Sequence, residues 1–429
     1  MTAAKNTGLP AFARCPVAGD DWKVFVSKMN DRKPMQGFTV SRGKRCPRNE
    51  WDRPPWNRWS FQHIREILPT TEVWRGRGPV WELPCGSRDL DEIEFNDVED
   101  RSTNVATWLR SSYTDGLAVL YRGTLVYERY FNSMTERTLH LSQSMAKSIT
   151  SAVAGVLVDR GLLDPDELIV SYLPELKRTA WRDAKLRHSL DMTSGVRYVE
   201  DYEAPDSDIA TTDIASGWRT PRRGIKAAAC VWDQILTLKT RVRGHGERFE
   251  YRSIETDVLA HCMERVTRTR LAELVSRELW QPLGCEESAC FTVDAAGYAL
   301  ADGGFNATLR DYARFGQMLL DHGIGNGRRV VPSEWLDDTL DCNPAIFGEP
   351  HNDGFPNGAY RNQFWIRDAS HRVIMARGVF GQLIYVDMDN DLVVVKLSSW
   401  PEFLSTERKK DDIGAIDAIC EHLKEGRNA

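Results

Sequence analysis

One feature restricts the fold of this chain more than any other: its strand-forming blocks stand far apart. "GLAVLYRGTLVYERYF", residues 116 to 131, alternates apolar and polar side chains around Arg122-Gly123, the pattern of a β-hairpin with a glycine-containing turn. Some 240 residues later, "RVIMARGVFGQLIYVDMDNDLVVVKLSSW", residues 372 to 400, breaks at "DMDND" between apolar runs, again a turn between strands. Between them the chain reads as helices and loops. The spacing predicts one sheet completed by N- and C-terminal strands, with a largely helical insertion.

Within that insertion "SQSMAKSITSAVAGVLVDR", residues 142 to 160, carries small and apolar residues at helical spacing. "GLLDPDE" then stops it with a glycine and a later proline. Its second half is apolar on nearly every side, so this helix is expected to be buried. "TLRDYARFGQMLLDHG", residues 308 to 323, is amphipathic, with Thr308 as N-cap and Gly323 as stop. A last helix is expected over 411–425. The divisions expected are an extended N-terminal arm (1–100) packed on the main body, a sheet-plus-helices part (101–165 and 300–429), and a mostly helical part (166–299). The arm is rich in Pro, Arg and Trp, as in "WDRPPWNRW".

Composition excludes some functions. The 56 Lys and Arg against 62 Asp and Glu give a formal charge of −6, without the basic field of a nucleic-acid binder. The N-terminus has no continuous apolar run, and no stretch approaches the roughly 20 apolar residues of a membrane span, so a cytoplasmic protein is expected. Nine scattered cysteines do not form a disulfide framework. Cys285 and Cys290, or His261 beside Cys262, lack a second pair at zinc-ligand spacing, so no metal is expected.

There is no G-x-S-x-G, H-E-x-x-H or G-x-G-x-x-G, and "GFTVSRGKR" does not fit a P-loop. S-x-x-K occurs at Ser41 to Lys44, in a basic loop, and at Ser144 to Lys147. At the second, a helix start puts both residues on one face, within reach of each other. For Lys147 to accept a proton its pKa must fall, and Met145, Ile149 and Val153 are the expected desolvating neighbours.

Further on, "FEYRSIETDVLA" (249 to 260) carries Tyr251 and then Ser253 before a helical run, and "RGVFGQLIYVD" (377 to 387) carries Gly378 and Gly381 opening an apolar strand. In this order, with Ser144-x-x-Lys147, the three elements resemble the serine β-lactamase and penicillin-binding-protein superfamily. "NRWSFQHIREILPTTEVWRG", "LRHSLDMTSGV", "ADGGFNATLRDYARFGQMLL" and "NQFWI" extend the likeness. They resemble the branch of 6-aminohexanoate-dimer hydrolases and related class-C-like carboxylesterases.

The resemblance implies a β-lactamase-like α/β (α+β) fold: an antiparallel sheet flanked by helices, a mostly helical domain, and the active site between them. It implies a serine hydrolase of small esters or linear amides, acting through an acyl-enzyme without metal or organic cofactor. Ser144 matches the nucleophile, Lys147 its base partner, and Tyr251 the phenol that shares proton transfer with the lysine and leaving group. The N–H groups of Ser144 and Gln382, the residue after Gly381, match the oxyanion hole. Tyr202 and Asp213 match a tyrosine that closes over substrate and an acid that meets a substrate amine; Asn306 and Gly381 could line the same pocket.

Two departures are visible. Val379, Phe380 and Gly381 stand where many relatives carry Lys or His, then Thr and Gly. Ser253 stands where β-lactamases have Asn. Both argue against β-lactam turnover, so β-lactamase or D-alanyl peptidase activity is the alternative within hydrolases, and a non-catalytic binding protein of the same fold the alternative outside them. Arg377 is either a structural ion pair or the replacement for the missing cation. His188, lacking an acidic partner, reads as a packing residue. The expected partner is a small ester or amide, with no nucleic acid and no membrane; a homodimer stays open.

Overall fold

The structure, a computed structural model, describes residues 34–221, 227–352 and 354–425. The first third of the expected arm, with Cys15, lies outside the described residues. The hairpin is formed by β1 (Thr114–Tyr121) and β2 (Thr124–Tyr130). Arg122 and Gly123 take φ of 52° and 73°, the left-handed values that a two-residue type I′ turn requires at both central positions.

The C-terminal blocks supply β3 (Ala359–Arg361), β4 (Phe364–Ile366), β5 (Val373–Gly378), β6 (Gln382–Asp387) and β7 (Leu392–Ser398). They assemble in the order β3-β4-β5-β6-β7-β1-β2, antiparallel throughout. The seam between the distant blocks is β7 against β1, where Val395 faces Ala118 and Val393 faces Leu120.

The helices that position the site are α1 (Val105–Ser111), α2 (Met145–Asp159), α3 (Ile254–Thr267), α4 (Leu309–Leu320) and α5 (Thr406–Glu425). One face of the sheet packs with α2 and α4 through Ala118, Leu120, Ala376, Ile384 and Val395. The other packs with α1 and α5 through Leu117, Val119, Met375, Leu383 and Val394. Coverage of both faces explains why the strands between 372 and 400 read as nearly unbroken apolar runs, and why β1 is buried at every position instead of on alternate residues as the sequence suggested. In α4 the Thr308 side chain accepts from the Asp311 N–H at 3.2 Å and donates to its carboxylate at 2.8 Å, a reciprocal cap. The last helix starts at Thr406 rather than 411, because Ser405 Oγ accepts from the Arg408 N–H at 3.2 Å and secures an earlier turn.

A second, four-stranded sheet was not legible in the sequence. It runs Thr70–Val73, Ala289–Thr292, Phe305–Ala307, His140–Leu141, all antiparallel. Its first strand comes from the expected arm, and Trp51, Phe61, Ile64 and Leu68 are buried with it in the main core. Arg58 reaches the fully buried Asp115 at 2.9 Å, and that carboxylate also meets His140 Nε2 at 3.1 Å and Ser399 Oγ at 2.6 Å. The described part of the arm is therefore built into the molecule through both apolar burial and a satisfied polar network.

The Ser41–Lys44 pattern lies on a short exposed turn. The eight described cysteines are unpaired, and among the described residues no group of His, Cys, Asp or Glu could hold a metal ion. No helix of the described residues is long and apolar enough to cross a membrane.

Close packing of α2 gives a stability prediction. A Cβ on Gly155 would lie 2.4 Å from the Trp335 ring. Alanine is the better helix former by roughly 0.5–1 kcal/mol, but overpacking a core costs about 1–3 kcal/mol. Gly155→Ala is expected to lower the thermal midpoint; a rise would show that Trp335 yields without cost.

Candidate active site

The nucleophile candidate stands where the small sheet hands over to α2. After His140–Leu141 the chain turns through Ser142 and Gln143, and Gln143 takes a left-handed φ of 48°. Such a conformation costs a non-glycine residue roughly 1–3 kcal/mol, and here it swings Ser144 to the N-cap of α2. Serine at this position usually caps the helix with its side chain; Ser144 does not. Its Oγ instead accepts from Lys147 Nζ at 2.9 Å.

Lys147 is 1 % exposed, and its ammonium also donates to the Asp302 carbonyl at 2.6 Å. Met145, Ile149 and Val153 are buried on the same helix. The expected fall in pKa is nevertheless corrected. Burial does act to lower it, but Tyr251, Asp302 and Glu200 act the other way and prevail, so Lys147 is held above its ordinary value. These neighbours come from three separate parts of the chain, which sequence spacing could not bring together.

Tyr251 precedes α3, and its hydroxyl interacts with both Ser144 and Lys147. Its ring centroid lies 5.2 Å from Lys147 Nζ and stacks on Trp365 at 5.4 Å. The adjoining turn is anchored by the fully buried Arg252, which donates to the Ser194 carbonyl at 2.8 Å and pairs with Glu250 at 2.8 Å. Burial raises the Tyr251 pKa, with Lys147 opposing, so the resting pair carries both protons at neutral pH.

Sequence reasoning missed Glu200. Its carboxylate accepts from the Ser253 N–H at 2.9 Å, from Ser253 Oγ, and from the Tyr202 hydroxyl at 2.7 Å. Burial pushes Glu200 and Asp302 up, and Lys147 pulls both back down, so one ammonium is shared by a small acidic group. Glu200 lies in a polar loop without periodicity; only its place two residues before Tyr202 could have drawn notice.

Tyr202 is thus tied to Glu200, and its ring stacks on Phe403 at 5.3 Å, partly buried. Asp213 sits on a short helix, Asp208–Ala215, with Arg219 Nε 3.8 Å away. Burial pushes its pKa up to about 8, against the pull of Arg219. Asn306 is fully buried in the small sheet, and its amide donates to the Gly304 carbonyl at 2.9 Å, so this side chain serves the backbone rather than facing a pocket. His188 accepts from the Lys185 N–H at 3.0 Å and stacks on His245 at 5.4 Å.

The third motif needs a correction. A Cβ on Gly378 would lie 2.6 Å from the Ser142 carbonyl and 3.0 Å from Gln143 Cβ, so Gly378 is the glycine pressed against the nucleophile turn. Gly381, with φ of 86°, packs instead on the Trp400 indole. The Gln382 side chain is occupied with β7, donating to the Ser398 carbonyl at 2.6 Å and accepting its N–H at 3.1 Å. Two glycines three apart fit one motif equally well on paper, and only the packing distinguishes them.

Comparison with known proteins agrees with this fold. The family described as Beta-lactamase matches residues 110–418. The 6-aminohexanoate-dimer hydrolase of Paenarthrobacter ureafaciens is 35% identical over 356 residues, 82% of this chain and 88% of that protein. A solved structure from Bacillus anthracis, provisionally assigned as a 6-aminohexanoate-dimer hydrolase, superposes with a TM-score of 0.82 at 29% identity, covering 90% of this chain and 99% of that one. A family VIII carboxylesterase shares the fold at a TM-score of 0.53 and 14% identity, over 73% of this chain and 97% of its own. With a serine, lysine and tyrosine brought together at the start of α2, and with matches over most of its length, the chain belongs to the beta-lactamase family of serine hydrolases.

Proposed function

We propose that this enzyme cleaves small esters and linear amides by two-step acyl transfer through Ser144. The observation that carries the reading is the 2.9 Å contact between Lys147 Nζ and Ser144 Oγ, with the Tyr251 phenol facing both. The Ser144 proton passes to the Lys147–Tyr251 pair once that pair has lost one of its own. The alkoxide then attacks the substrate carbonyl, and the oxyanion is held by the N–H groups of Ser144 and Val379. Val379 replaces Gln382 in this role because it follows the glycine that abuts the nucleophile turn. Tyr251 returns a proton to the leaving alcohol or amine, and water releases the acid.

Because both members of the pair are held above their ordinary values, the competent form grows as pH rises. kcat/KM is expected to climb from about pH 7 to about pH 10. A bell centred below neutrality in a pH–rate profile would contradict this proton inventory.

Tyr202 and Asp213 form the substrate-facing loop in this reading. A substrate amine would draw the Asp213 pKa back down and leave an ion pair in a partly buried setting. The reading is tested with one preparation on short-chain p-nitrophenyl esters, linear aminohexanoyl amides and a chromogenic cephalosporin. Ester and amide turnover with little on the cephalosporin is expected. Fast cephalosporin hydrolysis would overturn the substrate assignment.

A further inference from the structure

The Lys147 ammonium donates to Ser144 Oγ and to the Asp302 carbonyl, and the second acceptor comes from a turn, 298–303, between two strands of the small sheet. What fixes that turn is a fully buried acid on the first turn of α3. Asp257 Oδ1 accepts from the Ala301 N–H at 3.1 Å and from the Tyr298 hydroxyl at 3.1 Å. The Ala301 carbonyl is engaged from α2, by Thr150 Oγ1 at 3.4 Å. Ala301 is thus held by both of its backbone polar groups, immediately before the carbonyl that Lys147 meets.

α3 begins three residues after Tyr251, and its first turn directs three buried polar side chains to three distant segments. Glu255 accepts from Trp181 Nε1 at 2.9 Å and from Ser189 Oγ at 2.5 Å. Thr256 donates to Gln363 Oε1 at 2.7 Å. Of the three, Asp257 alone reaches the segment that supplies an acceptor to Lys147. Its other oxygen, Oδ2, is buried and has no hydrogen-bond partner among the described residues. A charge there would lack a donor in a dry interior, whereas a neutral acid leaves only a polar group to desolvate. Burial, reinforced by the field of Asp302, holds the Asp257 carboxyl well above the usual carboxylate range, against the pull of Lys147.

We propose that Asp257 is a positioning residue for Lys147: as a hydrogen-bond acceptor, not as a charge, it ties the helix next to Tyr251 to the turn that presents the Asp302 carbonyl to the ammonium. The inference rests on the hydrolase reading above, in which Lys147 and Tyr251 handle the Ser144 proton. Asp257 exchanges no proton with substrate and touches none of the reacting atoms. It keeps the lysine aimed at Ser144 Oγ by keeping its second acceptor in place.

The test compares Asp257→Asn with Asp257→Leu on p-nitrophenyl butyrate. Asparagine keeps an oxygen for Ala301 and Tyr298 and removes the ionisable group; leucine fills the space and removes the acceptor. Asp257→Leu is expected to lower kcat roughly 10- to 100-fold and to leave KM within about threefold, since a fully buried group does not meet substrate. Its climb of kcat/KM with pH should begin at lower pH, because an ammonium without its carbonyl acceptor gives up its proton more readily. Asp257→Asn should recover most of kcat and keep the wild-type pH profile. Should Asp257→Leu not fold, Asp257→Ser, whose hydroxyl falls short of Ala301, takes its place with the same expectations. Wild-type kcat in the variant without the acceptor overturns this proposal alone. So does an Asp257→Asn variant whose pH profile is displaced or whose kcat falls as far as that of Asp257→Leu, since the carboxylate's charge would then be what matters. Absence of any ester turnover in the wild type overturns the hydrolase reading and this proposal with it.

Discussion

Ser144→Ala is expected to lower p-nitrophenyl butyrate turnover by roughly 10⁴-fold or more, with a thermal midpoint close to that of the wild type. The loss is large because Ser144 carries the one aliphatic hydroxyl hydrogen-bonded to the Lys147 ammonium among the described residues. The fold should tolerate the change because Ser144 does not cap α2 with its side chain, and Lys147 keeps the Asp302 carbonyl as an acceptor. A fluorophosphonate should label the wild type at Ser144 and leave the variant unmodified, as read by mass spectrometry of the intact protein and its peptides. Turnover by the variant at the wild-type rate would remove Ser144 from the chemistry.

Tyr251→Phe is expected to cost about 10²- to 10⁴-fold in kcat/KM, the range for loss of a positioned proton donor and acceptor. The ring remains to stack on Trp365, so the wall of the site is kept. The variant also carries a second readout. Tyr251 is the largest of the influences that raise the Lys147 pKa, while burial pulls it down. Without the phenol, burial faces weaker opposition, the Lys147 pKa falls, and residual activity should rise at lower pH than in the wild type. A pH–rate profile with the same alkaline limb in both proteins would mean that the lysine does not report on the tyrosine.

Much of this architecture was legible because it is local. The Arg122-Gly123 hairpin, the apolar helix after Ser144 and the Thr308 cap are each written within a few neighbouring residues, and the helix start already put Ser144 and Lys147 on one face. Tyr251 was legible only through the order of motifs, since a lone tyrosine before a helix carries no signature. The small sheet was not, because its strands are two to four residues long and come from three distant parts of the chain. The protonation of Lys147 failed for a related reason. Its apolar neighbours lie on its own helix and were counted, whereas Tyr251, Glu200 and Asp302 arrive through tertiary structure. The choice between Gly378 and Gly381 likewise depended on which backbone touches Ser142.

The antiparallel seam of β7 against β1 also sets when competence can arise during synthesis. Ser144, Lys147 and Tyr251 leave the ribosome before β5 has been made, so a nascent chain already holds its reactive groups while lacking Gly378 and the amide that follows it. Docking of the last strands both closes the sheet and presses Gly378 against the nucleophile turn. Production truncated before β5 should therefore yield inert chains, not slow ones, and activity should emerge as a step near the end of translation.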